Sequence, residues 1–482
     1  YGIWATNHAV VTLTNTFVIS INNSTLDSRN CSTLCNASGC TTPLGGQAVY
    51  LTNGATLINA GALMSMSALS LGKSGVTLAP TGSISAMGPL SGGLSISSAA
   101  VTSGFNDTYT LKGAINAEDT SNLHLTSESA LFDAALNGQD VVLTKKSFAE
   151  VTQNASFADF LEKNYALHHN EALFEALKSQ TNLRSLTDSL KDLTGDKLKS
   201  FALEDMMLLK ELDFDINKAF KDNAQNSFTL TGDNTARLGK KTPSNERYRW
   251  LVSGKKDGQT TFGVGVAFTS LKNNRNTKRH DEMFLTMMPL GYRTHGLDFL
   301  STLRLGYAYG TYTRHGFNSK EYTGTVEKRI LGLTNAVSYP FKINAWTLAP
   351  TAEFNLLGYR LKGAEDAQRF ALKIQKQNIT SMEAGIGFGL NYAADFAPHK
   401  KLNFATQLML YHEFLDPYRL KLGMQDMTGS FELKDEKRRA EHLALKNTFE
   451  YRFDALSVYA DLFSYIDGEY TTKADIGFKW AF

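Results

Sequence analysis

The sequence predicts an all-β protein with a helical linker. In order, it reads as a β-solenoid-like fragment, a helix, and a twelve-stranded antiparallel transmembrane barrel with that helix in its lumen. Three observations carry this. Beyond Asn226, segments alternate apolar and polar residues over about nine to eleven positions, the span a tilted membrane strand needs, against about five or six for an average soluble strand. The links between these segments alternate between short and long. The chain closes on TTKADIGFKWAF, where Ile476, Phe478, Trp480 and Phe482 alternate with Asp475, Gly477, Lys479 and Ala481. A soluble sandwich strand also has a period of two, so length and loop parity decide between them.

Bulk properties agree. The 482 residues exceed one typical domain. A formal charge of +2 points to no nucleic-acid partner. Mean hydropathy is −0.23 and no run of eighteen apolar residues occurs, so no helical span is expected, whereas half of every barrel strand is polar. A start at Tyr1 without a basic-then-apolar leader reads as a trimmed fragment whose export signal lies upstream. Cys31, Cys35 and Cys40 lie within ten residues. Their spacing is not a paired C-x-x-C, so one local disulfide with a spare thiol outside the cytosol is the expectation, and no metal site.

Residues 1–145 hold short β-prone bursts such as AVVTLTNT, GVTLAPTGSIS and LHLTSESALF, each followed by Gly, Asn or Ser. Stacked short strands suit a solenoid, with an irregular sandwich as the alternative. Residues 146–225 form a helical linker. NEALFEALKSQ and Leu183, Leu186, Leu190 and Leu193 keep helical spacing, LTGD (Leu193–Asp196) interrupts it, and a second helix follows. Residues 226–482 form the barrel. Leu297, Phe299, Leu303, Leu305 and Tyr307 oppose Asp298, Thr302, Arg304 and Gly306; Leu443, Leu445, Phe449, Tyr451 and Phe453 oppose Lys446, Glu450 and Arg452. KKDGQ, RTHG and PFKINA read as short turns, while KNNRNTKRH, RHGFNSKEYTG, KGAEDAQRFALKIQKQN and the stretch DPYRLKLGMQDMTGSFELKDEKRRAE read as long charged loops.

This arrangement resembles a bacterial autotransporter of the monomeric, classical (type Va) kind over about 140–482. The carriers are a β-rich end, LTGD, a longer helix, and a barrel ending in Phe. Asp475, Gly477, Trp480 and Phe482 match the outer-membrane barrel-assembly signal. SALFDAALNGQDVVLTKKSF is similar to the junction found in relatives with a subtilisin-like protease passenger. The resemblance implies export and surface display of the chain's own N-terminal part, outer-membrane lipids, a barrel-assembly machinery and periplasmic chaperones as partners, and no cofactor. It also implies a helix threading the lumen, carrying Phe201, Leu208, Leu212, Asp213, Asp215, Ile216 and Phe220. A surface adhesin stem, or the end of a protease precursor with its catalytic part upstream, are the alternatives.

Geometry permits the threading. Twelve strands ~4.8 Å apart and tilted ~40° close at a diameter of about 24 Å, leaving roughly 10–14 Å inside, enough for one helix. Gly263, Gly265, Gly385, Gly387 and Gly389 are small on inward faces; they either admit the helix or bend the strands. Glu211, Asp213 and Asp215 are expected to meet inward Arg304, Lys446 or Arg452. No residue pattern supports catalysis: His168, His169 and Glu171 are not H-E-x-x-H, and no G-x-S-x-G occurs. Asn217 and Asn223 lie where some relatives cleave themselves, without the Asn-Asn pair.

Overall fold

The computed structural model describes residues 3–5, 10–14, 17–19, 24–25, 49–51, 56–65, 68–71, 75–198, 206, 208–214, 227–236, 244–255, 259–273, 277–317, 320–434, 439–467 and 470–481. Cys31, Cys35, Cys40, Phe201, Asp215, Ile216, Asn217, Phe220, Asn223 and Phe482 lie outside these. Two units form, Tyr1–Lys191 and Asp192–Phe482; the composition changes at 145 and 225 fall inside them.

In the first unit, strands Val10–Leu13, Thr56–Asn59, Val76–Leu78, Leu90–Ile96 and Leu123–Ser127 pair in parallel, one after another. A second parallel ladder joins Phe17–Ile19, Ala62–Ser65, Ser83–Ala86 and Ile115–Ala117. Parallel pairing of successive short strands is what coil-on-coil stacking produces. Leu57, Leu63, Leu78, Ile84 and Ile96 fill the interior. Buried Asn59 donates from Nδ2 to the Ser83 carbonyl at 2.8 Å, tying one coil to the next. The ladder ends in an antiparallel sheet of Thr108–Leu111, Asp140–Lys145 and Phe132–Asn137, whose hairpin turns at Gly138 with φ +63°.

Helices Phe148–Val151, Ala155–Ala166, Glu171–Lys178 and Leu183–Thr194 follow. Ser147 and Glu150 form a reciprocal cap on the first. Phe105, Phe148, Tyr165 and Phe174 pack their rings 5.1–6.3 Å apart. Buried Lys178 stands among them, over Tyr165 and Tyr109, and donates to the Gly104 carbonyl and, at 3.1 Å, to the Tyr109 hydroxyl. Burial pushes its amine down to about 8. Between that value and the unfolded ~10.4 the unfolded chain holds more protons, so this lysine makes the unit more stable as pH rises from about 8 to 10 and less so on return. Burial pushes the Tyr109 and Tyr165 phenols up, which acts in the opposite sense above pH ~10. Lys178→Met should therefore flatten the rise between pH 8 and 10, as read by urea-dependent proteolysis of the first unit in the full chain.

The second unit is the barrel. Its strands are β1 (Ser227–Ala236), β2 (Ser244–Lys255), β3 (Thr260–Asn273), β4 (Thr277–Thr294), β5 (Leu297–His315), β6 (Glu321–Ser338), β7 (Trp346–Glu365), β8 (Leu372–Ala397), β9 (Lys400–Glu413), β10 (Glu441–Phe453), β11 (Leu456–Ile466) and β12 (Tyr470–Ala481). Each is antiparallel to the next, and β12 returns to β1 with Gly232 opposite Phe478, so the twelve strands among the described residues form a closed ring.

The polar and apolar faces are inverted relative to a soluble core. On β5, Phe299, Leu303, Leu305, Tyr307 and Tyr309 are 36–48% exposed, whereas Thr302 and Arg304 are 2% exposed and Arg314 is 1%. β12 repeats this, with Ile476, Phe478 and Trp480 outward and Lys473, Asp475 and Gly477 inward. An aqueous exterior would strip such a surface of its stability; a lipid exterior matches it. Aromatic side chains gather near the short-turn rim, with Trp346 and Tyr392 rings 4.9 Å apart and Tyr451 and Phe453 also 4.9 Å.

The loops differ from expectation. KNNRNTKRH is mostly strand, because β3 and β4 stay paired to Asn273 opposite Arg279. RHGFNSKEYTG shrinks to a link at 316–320, and KGAEDAQRFALKIQKQN to 366–371. Backbone pairing continues past the apolar band, so β4 reaches 18 residues and β8 26. The 414–440 link is long. It folds its own hairpin, Arg419–Met424 with Phe431–Lys434, whose first strand pairs with the start of β8.

Candidate functional site

The chain enters the barrel's own lumen from the long-link rim. At that rim Arg314 of β5 donates to both oxygens of Glu365 on β7, at 2.5 and 2.9 Å, and to the Asp192 carbonyl at 3.0 Å. The last carbonyls of a helix lack partners within it, so a buried guanidinium there ends the helix cleanly. Gly195 of LTGD then takes φ +68°, and a Cβ on it would come within 2.5 Å of Leu372 and 3.6 Å of Leu422 in the rim hairpin. Leu198 donates its N–H back to the Gly195 carbonyl at 2.8 Å. Gly195→Ala meets both a left-handed backbone and that contact. We expect it to loosen this docking by about 1–3 kcal/mol, seen as faster hydrogen exchange at Leu198.

Below this, residues 206 and 208–214 lie in the lumen as helix. A helix turns about 100° per residue, and consecutive side chains here reach different walls. Lys210 pairs with Glu383 of β8 and lies over the Tyr411 ring of β9 at 3.3 Å. Glu383 also meets His442 of β10 at 3.0 Å. Glu211 pairs with Arg247 of β2 at 2.7 Å and with Lys473 of β12, and Arg247 binds Asp475 of β12 at 2.6 Å. Asp213 accepts from Arg304 of β5 at 2.8 Å and from Thr334 of β6 at 3.2 Å. The Phe214 ring lies 6.1 Å from that of Phe463 on β11. Glu211, Asp213 and Arg247 are 0–2% exposed. Buried charges of this kind persist only when paired, and here each has its opposite on the wall.

Towards the short-turn rim a cavity of about 470 Å³ continues the lumen, lined by Phe214, Gly389, Lys446, Asp298 and Arg293 among others. Among the described residues, 206 and 208–214 thus occupy the upper lumen, above this cavity.

The expected site residues fall as follows. Leu208, Leu212 and Asp213 are buried in the lumen, and Asp213 meets Arg304. Lys446 points inward and pairs with Asp461 on the neighbouring strand at 2.9 Å; its expected partner Asp215 lies outside the described residues. Arg452 does not lie in the interior. It keeps the inward phase of β10, yet it sits at the turn end, exposed, donating to the Asp454 carbonyl at 2.9 Å. Gly263 and Gly265 are buried. Gly385 makes room for the Tyr411 ring, which a Cβ would meet at 2.4 Å, and that ring supports Lys210. Gly387 lies against the β9 backbone at Leu408, and Gly389 faces open space. Glycine therefore serves the lumen chiefly through a cross-strand aromatic ring. Gly477 lies between the Gly232 carbonyl and the Tyr459 ring, each 2.6 Å from a Cβ placed there, so the closing seam admits only hydrogen. Asp475 anchors Arg247, and Trp480 faces outward. Sequence reading missed Arg247, Lys473, Lys210, Glu383 and His442. Their phase was readable: Arg247 alternates with Tyr248, and Lys473 shares the face of Asp475.

The result is a closed barrel, apolar outside and charged within, with a helix of its own chain held in the lumen. Residues 244–462, from the start of β2 into β11, match the family model described as Autotransporter beta-domain. Over those residues the barrel is an autotransporter beta-domain, an outer-membrane translocator. Among solved structures the chain is similar to the translocator domain of NalP from Neisseria meningitidis, at 11% identity over 58% of this chain and 96% of that one, TM-score 0.42. It is also similar to the beta domain of the Bordetella autotransporter BrkA, at 12% identity over 54% and 99%, TM-score 0.37. The transport unit of AIDA-I from Escherichia coli comes next at 10%, over 54% and 91%, TM-score 0.33. Likeness at such scores says nothing about the activity of this chain. A comparison with curated proteins gives no match.

Proposed function

We propose that the translocator carries the first unit to the cell surface and then keeps its own tether as a lumen plug, so that Tyr1–Lys191 is displayed outside. The observation that supports this most is the set of ion pairs from Lys210, Glu211 and Asp213 to walls on all sides. A tether seated this way closes the pore after passage and resists being drawn back. Its path runs from Asp192 at the long-link rim down to Phe214, and β1 begins at the short-turn rim. With the rim that carries the long 414–440 link outside, as in bacterial barrels, the first unit lies on the outer side. The solenoid supplies a sequential fold that can form coil by coil as it emerges. Insertion itself is assigned to a barrel-assembly machinery reading Asp475, Gly477, Trp480 and Phe482 on the last strand, with periplasmic chaperones holding the chain beforehand. No step in this function calls on a catalytic residue of the chain.

The test is protease treatment of intact cells. Loss of the first unit, with a heat-modifiable barrel fragment left behind, agrees with display; protection of the first unit until the outer membrane is opened contradicts it.

A further inference from the structure

The outer wall of the barrel carries a basic cluster where an anion is needed. Arg329 of β6 and Arg360 of β7 stand directly opposite each other, and in the next row Glu327 faces Lys362. Like charges in a cross-strand pair repel and weaken a sheet unless something neutralises them. Glu327 is engaged by Lys362 at 2.7 Å and Arg329 at 3.6 Å. Among the described residues, Arg360 and Lys376 have no acidic partner. All five line one shallow recess of about 140 Å³.

Its height on the wall is telling. Tyr307 and Tyr309 of β5 oppose Arg329 and Glu327 in these same two rows. Directly beneath, towards the short-turn rim, come Leu305 and Leu331, then Leu303, Leu333 and Leu356. These leucines face outward as part of the apolar band. The cluster therefore sits at the upper edge of the lipid-facing band, with tyrosines beside it, at the level of headgroups.

We propose that Arg329, Arg360, Lys362 and Lys376 form a binding site for the phosphate of a phosphorylated glycolipid in the outer leaflet, with the acyl chains lying on the leucines below. Two guanidiniums side by side can grip one phosphate through paired N–H donors, turning a repulsive pair into a clamp. The proposal rests on the long-link rim facing outward, as the proposed function has it.

The experiment uses the full chain inserted into phosphatidylcholine vesicles containing a minor fraction of a hexa-acylated diglucosamine bisphosphate, or of the same lipid stripped of phosphate. Glycolipid retained after detergent extraction is counted by native mass spectrometry. The wild type should retain the bisphosphate form, and Arg329→Gln with Arg360→Gln at least about tenfold less of it. The dephosphorylated lipid should be retained weakly by both. Glu327→Gln, which removes the acid, should raise retention above wild type. Equal retention of the two lipids, or no change in either variant, overturns the site. Failure of the wild type to enter any vesicle overturns instead the barrel reading beneath it.

Discussion

Arg247→Met is expected to destabilise the folded, heat-modifiable barrel by about 3–5 kcal/mol. Arg247 holds Glu211 of the lumen helix and Asp475 of the closing strand at once, and all three are at most 1% exposed. Lys473 also lies on Glu211. Removing Arg247 takes its cation from two buried carboxylates at once, which is the costly case for a buried pair. The denaturant midpoint should fall sharply. Adding Glu211→Gln should then restore part of the loss, because one of the two carboxylates that Arg247 held no longer carries a charge. Such a double variant, more stable than the single, is a coupling that independent sites do not show. Arg452→Met, at the exposed turn end, should shift the midpoint by no more than ~0.5 kcal/mol.

The second large effect is on the plug alone. Arg304→Glu faces Asp213 with a second carboxylate and takes away its 2.8 Å donor. Among the described residues, only Thr334 then remains to bond Asp213. The ring of strands does not depend on this pair, so the barrel should stay folded while the helix lets go. Hydrogen exchange at residues 208–214 should quicken by at least about a hundredfold, equivalent to the loss of a buried pair. Adding Asp213→Lys restores opposite charges and should recover most of the protection. Exchange unchanged in the single variant would show that this pair does not seat the helix.

Local information is what made parts of this fold legible in the sequence. The inward phase of Arg304 and Lys446 and the outward phase of Leu303 and Leu305 come from a period of two, which any strand displays over a few residues. That an acid on the lumen helix meets Arg304 was within reach, because both faces could be read separately. The cluster at Glu211 was not. It joins residues 247 and 475 through the closure of β12 on β1, and one sequence does not give the stagger of a barrel. Arg452 shows the same limit along the other axis: its phase was right and its height wrong, since nothing local says how far a strand runs before the turn. The loops failed for the opposite reason. Charged, turn-like segments such as KNNRNTKRH stay in strand because neighbouring strands supply partners for their backbone, a tertiary effect that overrides local preference. Gly385 was read as room for a helix or as a bend in its strand, whereas its partner is Tyr411 across the β8–β9 ladder.

The most direct test of the inverted barrel is quenching by brominated acyl chains along β5. With the native cysteines replaced by serine, single cysteines at positions 302 through 307 carry an environment-sensitive fluorophore in lipid vesicles. Labels at 303, 305 and 307 should be strongly quenched and those at 302, 304 and 306 hardly at all. Quenching without that alternation, or absent at every position, would contradict a lipid-facing stripe backed by an enclosed lumen.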